Sequence, residues 1–262
     1  MALDGKLVAR MDASLLAYWG TYALADGGRR KELPGALFMQ TAIPHCLFNS
    51  VILTGRDQAA IDEALELSAA CRKIVGVPVL WRVSVAADNE DLRARLEAAG
   101  LQRGAPQPAM MADQSVVALR EPVRGLVIET ADGAEARRRW GQLAIAAFEL
   151  EETLQAPMGD CEATSPSEMF EAQPRFTGYL DGEAVAVSSL VMTDGVAGIY
   201  AVATLPHARK RGIGTAMTVH ALSEGKRRGA DIAVLQATDM GRPVYEKIGF
   251  RKIFDYQNYL HS

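Results

Sequence analysis

The stretch VAGIYAVATLPHARKRGIGTAM, residues 196–217, constrains the fold more than any other part of the chain. An apolar run ends at Thr204, a Leu-Pro turn follows, and Arg209, Lys210 and Arg211 lead into Gly212-Ile213-Gly214 at the head of a helical pattern. A strand, a short turn and a glycine-led helix together form an anion site. The first helical N–H groups lack intrahelical partners, and the helix dipole adds partial positive charge there. Glycines let a phosphate approach the backbone without meeting a Cβ. Three adjacent cations suit a ligand with more than one phosphate charge, so the stretch reads as a pyrophosphate cradle. It departs from the dinucleotide fingerprint, because Met217 holds the third glycine position and Asp231 precedes the next strand instead of ending it. No Walker A loop is present.

The flanks support a mixed α/β unit. Asp181-Gly182 joins RFTGYL to AVAVSSLVM, and Asp194-Gly195 joins that run to VAGIYAVAT, both as hairpin signals. Upstream, LVIET reads as a strand. Asp132 and Glu135 have capping-box spacing ahead of a helix with Trp140, Leu143, Ala144, Ala147 and Phe148 on one face. The acidic segment ELEE (149–152) follows. Downstream come a helix through AMTVHALSEGKRR with a stop at Gly229, a buried strand IAVLQAT, a short helix RPVYEKI ended by Gly249, and a closing strand or hairpin RKIFDYQNYL.

A chain of 262 residues suits two domains. The Pro/Gly-rich RGAPQPAMMADQS (103–115) breaks it, and the boundary is expected near Glu121-Pro122, giving domains 1–121 and 122–262. The halves form a weak repeat of strand, helix, strand, helix, with LEAAGL (96–101) mirroring YEKIGF (245–250). The apolar ASLLAYWGTYALA is expected to be a helix packed on the first domain, since Asp4 and Asp12 sit where a signal peptide is basic.

VATLPHARKRGIGTA followed by VLQATDMGRPVYEKIGF resembles the GNAT superfamily of acyl-CoA N-acyltransferases. The first piece carries R-x-x-G-x-G as Arg209, Gly212 and Gly214; the second carries Tyr-Glu-Lys-x-Gly-Phe as Tyr245 to Phe250. The resemblance covers about residues 124–262. The first half resembles the degenerate N-terminal half of tandem members: its corresponding turn, LTGRDQAAID, has one glycine and two acidic residues. The resemblance implies two tandem α/β acyltransferase-like domains with mixed sheets, the second catalytic. It implies that backbone groups of Val202, Ala203 and Thr204 pair with the pantetheine arm of acetyl-CoA. It further implies that N–H groups of Lys210, Arg211, Gly212, Ile213, Gly214 and Thr215, beside Arg209, hold the pyrophosphate, and that Tyr245 lies near the thioester sulfur as proton donor. The implied reaction is direct attack of an amine, from a small molecule or a peptide, on the thioester. The alternatives are a non-catalytic acyl-CoA-binding or regulatory protein and a nicotinamide-dependent oxidoreductase.

The rest of the sequence narrows the context. Lys plus Arg number 28 against 32 for Asp plus Glu, a net −4 that argues against nonspecific nucleic-acid binding. No apolar run is long enough for a membrane span. Cys46, Cys71 and Cys161 lack C-x-x-C spacing, which fits free thiols in a reducing, cytoplasmic setting, and no metal-ligand cluster is evident. Glu149, Glu151, Glu152 and Asp239 are candidates to bind the amine or relay its proton. His207 is expected at the surface and His220 in a structural role; Trp81, Met110 and Met111 are expected in a core or domain interface.

Overall fold

The computed structural model describes residues 3–113 and 122–262. The expected boundary residue Glu121 lies outside the described residues. In the first half the chain runs α1 (Gly5–Gly20), β1 (Arg29–Leu33), β2 (Ala36–Gln40), β3 (Ser50–Leu53), α2 (Gln58–Val75), β4 (Val79–Val83), α3 (Glu90–Ala98), β5 (Leu101–Arg103) and β6 (Gln107–Asp113). It continues as β7 (Leu126–Thr130), α4 (Ala134–Ala147), α5 (Gln155–Thr164), α6 (Met169–Ala172), β8 (Arg175–Leu180), β9 (Glu183–Thr193), β10 (Val196–Thr204), α7 (Ile213–Arg227), β11 (Ile232–Gln236), α8 (Arg242–Ile248) and β12 (Arg251–His261). The chain divides into two units. One takes in the chain up to Ala109 together with Ile253–Ser262, and the other spans Met110–Lys252.

In the first unit β1, β2 and β3 are successively antiparallel, β3 and β4 are parallel, and β12 runs antiparallel to β4 and to β5. The closing segment, read with the second half of the sequence, is thus a strand of the first unit. Alternating side chains identify a strand but not its partner. Here Tyr259 stands opposite Trp81, and both rings are fully buried with Val51, Leu53 and Leu96. Polar side chains cap the helices: Asp4 accepts from Lys6 N, Asp57 from Ala60 N and Asn89 from Leu92 N. The apolar N-terminal segment is helical as expected and buries Met11, Leu15 and Tyr18. On the same helix the buried carboxylate of Asp12 accepts from Tyr256 Oη at 2.7 Å and Ser84 Oγ at 2.8 Å.

In the second unit β7, β8, β9 and β10 form an antiparallel run, and β10 pairs parallel with β11. Both Asp-Gly turns form as expected. Asp181 and Gly182 have φ of 52° and 90°, and Asp194 and Gly195 have 40° and 74°, the left-handed pair that two-residue hairpins need. The expected capping box does not form. Gly133 is the N-cap of α4, without a side-chain bond, and Glu135 turns to Arg138 and Arg139 instead.

Opposite faces of this sheet carry different helices. Phe176 and Ser188 are cross-strand partners on the α7 side, where Ser188 Oγ bonds Met217 O. Ile213, Met217, Ala221 and Leu222 of α7 are buried there against Ala197 and Ile199. One residue along, Arg175 faces α4 and α5. Its Nε bonds both carboxylate oxygens of the buried Glu162, at 3.1 and 3.0 Å, and its guanidinium lies 5.1 Å from the Trp140 ring centre.

Candidate active site

The site begins where β10 and β11 part. Their pairing covers Val196–Gly198 against Ile232–Val234 and then stops, although both strands continue. β10 carries a bulge between Tyr200 and Ala203, with Ala201 at φ 49°. A bulge bends its strand and raises local twist. Ala203 and Thr204 still pair with Val187 and Ala186 of β9, so among the described residues this part of β10 is held on one side and open on the other. An open strand edge offers N–H and C=O groups to an extended ligand. Val202, Ala203 and Thr204 all lie on this stretch.

The turn after β10 builds the second part. Pro206–Ala208 make one 3₁₀ turn, Lys210 has φ 60°, and Gly212, at φ 80°, is the N-cap of α7. A glycine cap has no side chain to accept from the first-turn N–H groups, so those of Ile213, Gly214 and Thr215 stay free of a side-chain cap. A Cβ added at Gly214 would meet nothing nearer than Thr204 Oγ1 at 3.9 Å. Lys210 and Arg211 are exposed beside this turn.

Arg209 differs from its neighbours. Its Nε donates to Thr204 O at 2.9 Å, its Nη2 to Ala147 O at 3.0 Å, and its Nη1 meets Glu149 at 2.6 Å. The guanidinium therefore ties the end of β10 to the end of α4. Glu149, held at φ 55°, is occupied by the same contact. Glu151, Glu152 and Asp239 are exposed, and His207, also exposed, faces Glu183 at 3.2 Å.

Tyr245 sits on α8, which Gly249 closes at φ 120°. Its half-buried ring packs edge-on to Phe250, with centroids 6.0 Å apart, against the core shared with α7. A Cβ on Gly241 would meet its Cε2 at 2.9 Å, so the ring rests on bare backbone. Burial pushes the phenol up to about 12. Its hydroxyl has no hydrogen bond among the described residues.

Two further residues were not singled out in the sequence. Ser189 is the cross-strand partner of both Arg175 and Tyr200. Tyr200 and Gln236 each lie two residues beyond the last β10–β11 pair, Gly198 with Val234, and so share its face. Along this row Ser189 Oγ and Gln236 Nε2 are buried without a hydrogen-bond partner among the described residues. A buried orphan polar atom costs about 1–3 kcal/mol, so both atoms on this face are able to bond a polar group brought to them. No local motif marks either residue; only the register joins them.

Residues 145–250 match the model of the "Acetyltransferase (GNAT) family". Among solved structures the chain is similar to a GCN5-related N-acetyltransferase from Kribbella flavida, with 18% identity, 95% of each chain covered and a TM-score of 0.67. It is similar to a tandem GNAT protein from the clavulanic acid biosynthesis pathway, with 13% identity, coverage of 95% and 94% and a TM-score of 0.57. A putative GNAT-family acetyltransferase from Novosphingobium aromaticivorans gives 16% identity, 98% of each chain and a TM-score of 0.57. No curated protein matches the chain by sequence. The mixed α/β fold is shared with GNAT structures over nearly the whole chain. The stretch that matches the GNAT acetyltransferase family model, residues 145–250, is the one that holds the parted strands and the glycine-headed helix.

Proposed function

We propose that the protein is an acetyl-CoA-dependent N-acetyltransferase whose chemistry lies in the expected C-terminal domain, residues 122–262. One observation carries this reading: an open edge of β10 leads into a helix start with no side-chain cap, flanked by exposed Lys210 and Arg211. A pantetheine arm is an extended chain of amides ending in a pyrophosphate, and these two features match its two ends.

The residues present fit that ligand. The first-turn N–H groups of α7, the dipole behind them and the cations of Lys210 and Arg211 hold the pyrophosphate charge. The backbone of Val202, Ala203 and Thr204 supplies strand-like pairing. Arg209 acts through position, fixing Thr204 and the α4 terminus by its three contacts. When bound, acetyl-CoA supplies a thioester open to attack by a neutral amine. Ser189 and Gln236 offer hydrogen bonds to that amine or to a water beside it. With a value of about 12, Tyr245 keeps its proton at any working pH. Complete transfer to a thiolate of ordinary pKa, about 8.5, costs ~5 kcal/mol. The role of Tyr245 Oη is therefore to donate a hydrogen bond to the leaving sulfur, not to release its proton fully.

The test is free-thiol release from acetyl-CoA across a panel of small amines, amino acids, aminoglycosides and peptide N-termini. The account expects turnover on at least one class. Tight acetyl-CoA binding with no turnover on any amine favours the non-catalytic binding protein. Tight binding of a nicotinamide dinucleotide, with none of acetyl-CoA, contradicts the assignment.

A further inference from the structure

The Met110–Lys252 unit holds a cavity of ≈ 410 Å³ beyond the end of β7, where α4, α6 and the later turns of α7 meet. It is separate from the cradle. Gly212 heads α7, whereas His220, Glu224 and Arg228 line the cavity, about 12 to 24 Å further along the helix at 1.5 Å per residue.

The inner wall of the cavity carries Arg137, which is 7% exposed. Its guanidinium carbon lies 4.1 Å from the centre of the Phe170 ring, and its Nε donates to Glu162 O at 3.3 Å. The Glu162 carboxylate is itself engaged by Arg175. Among the described residues no carboxylate pairs with Arg137. An arginine cannot shed its charge, and a buried charge without a counter-charge is costly. Arg137, though buried, belongs to the lining of the cavity. Phe170 and Phe176 provide apolar walls. His220 stands edge-on to Phe176 at 4.7 Å, and burial lowers its pKa, so it faces the space as a neutral donor and acceptor. Toward the mouth, Glu224 is held by Arg227 and Arg228, while Asp132 and Glu171 are exposed.

We infer that this cavity is a second ligand site that takes a small organic carboxylate, with the carboxylate on Arg137 and the body of the ligand between Phe170 and Phe176. Arg228, also in the lining, is balanced by Glu224, which leaves the exposed carboxylates of Asp132 and Glu171 to disfavour a second negative charge and suit an ammonium group. Free α-amino acids are therefore the best-matched class, ahead of simple monocarboxylates and well ahead of dicarboxylates.

The test is calorimetric titration of the whole chain with each of the common L-amino acids. For the tightest binder it is repeated with the deaminated acid and with the decarboxylated amine. The inference expects the amino acid to bind, the deaminated acid to bind more weakly, and the amine not to bind. Arg137→Gln keeps a donor for Glu162 O but removes the charge, and lowers amino-acid affinity at least about tenfold while leaving acetyl-CoA binding intact. Should that variant fold poorly, Ser167→Trp crowds the mouth from an exposed position and is expected to cause the same selective loss. No binding by any amino acid or deaminated acid, equal binding by the amine, or undiminished binding in both variants overturns it.

Discussion

Replacing Tyr245 by Phe removes one hydroxyl and nothing else, and the structure fixes what that should do. The ring contacts with Phe250 and with the bare backbone of Gly241 are kept. The hydroxyl makes no hydrogen bond among the described residues, so its loss leaves no partner stranded. Stability should therefore change by no more than about 0.5 kcal/mol. The chemical step should respond differently. A hydrogen bond to a charged group contributes about 1.5–3 kcal/mol, and each 1.36 kcal/mol is a factor of ten in rate. The expected loss in the acetyl-transfer rate is thus about 10- to 150-fold. Single-turnover measurement of thiol release, on an amine shown to react, isolates this step from product release. Acetyl-CoA affinity should stay near the wild-type value, as should the melting temperature. An unchanged single-turnover rate would show that the thiolate leaves without help from Tyr245. A large fall in melting temperature would show that the hydroxyl serves the fold instead.

Five other substitutions probe separate parts of the account. Gly214→Val should weaken acetyl-CoA binding by more than about tenfold with little change in melting temperature, because the added atoms enter the phosphate approach and not the core; Gly212→Val should do the same but also destabilise, since Gly212 sits at φ 80° where a branched residue is strained. Normal acetyl-CoA affinity in a folded Gly214→Val protein would count against the cradle. Arg209→Ala should lower the melting temperature as well as acetyl-CoA affinity, whereas Lys210→Ala should lower affinity alone; equal melting temperatures for the two would refute the tying role of Arg209. In the first unit, burial raises Asp12 to about 6 despite hydrogen bonds from Tyr256 and Ser84. A carboxyl raised in the folded state contributes stability below its unfolded value of about 3.9 and loses it as pH rises through the folded value. Relative to Asp12→Asn, the wild type should therefore lose about 2 kcal/mol between pH 4 and pH 8, and a pH-independent difference in denaturant unfolding would contradict this.

How much of this could be read from the sequence depends on the range of each interaction. The Asp-Gly hairpins were legible because the dipeptide meets the left-handed φ requirement at both positions by itself. The helix of Arg242–Ile248 and its stop at Gly249 were legible for the same local reason. So was the contrast between GIG and LTGRDQAAID, since glycine and charge placement at a helix start is local chemistry. The structure adds a reason for the lone glycine there. A Cβ on Gly55 would meet Gly35 Cα at 2.8 Å, so that glycine permits two backbones to touch. What escaped the sequence is set by register and packing. The partner of β12, the clamp made by Arg209, the row joining Arg175, Ser189, Tyr200 and Gln236, and the Arg137 guanidinium, which meets no carboxylate among the described residues, all depend on segments distant in the chain. The capping-box spacing of Asp132 and Glu135 misled because Glu135 found two arginines on its own helix.

The central claim is that one cradle, at the head of α7, binds acetyl-CoA. Calorimetric titration of the whole chain with acetyl-CoA tests it most directly. The account predicts one site per chain. In the first unit the corresponding helix start is already capped by Asp57, which accepts from Ala60 N at 2.8 Å, and Arg95 beside it is committed to Gln58 and Asp62. An absence of binding heat, or two equivalent sites per chain, would contradict it.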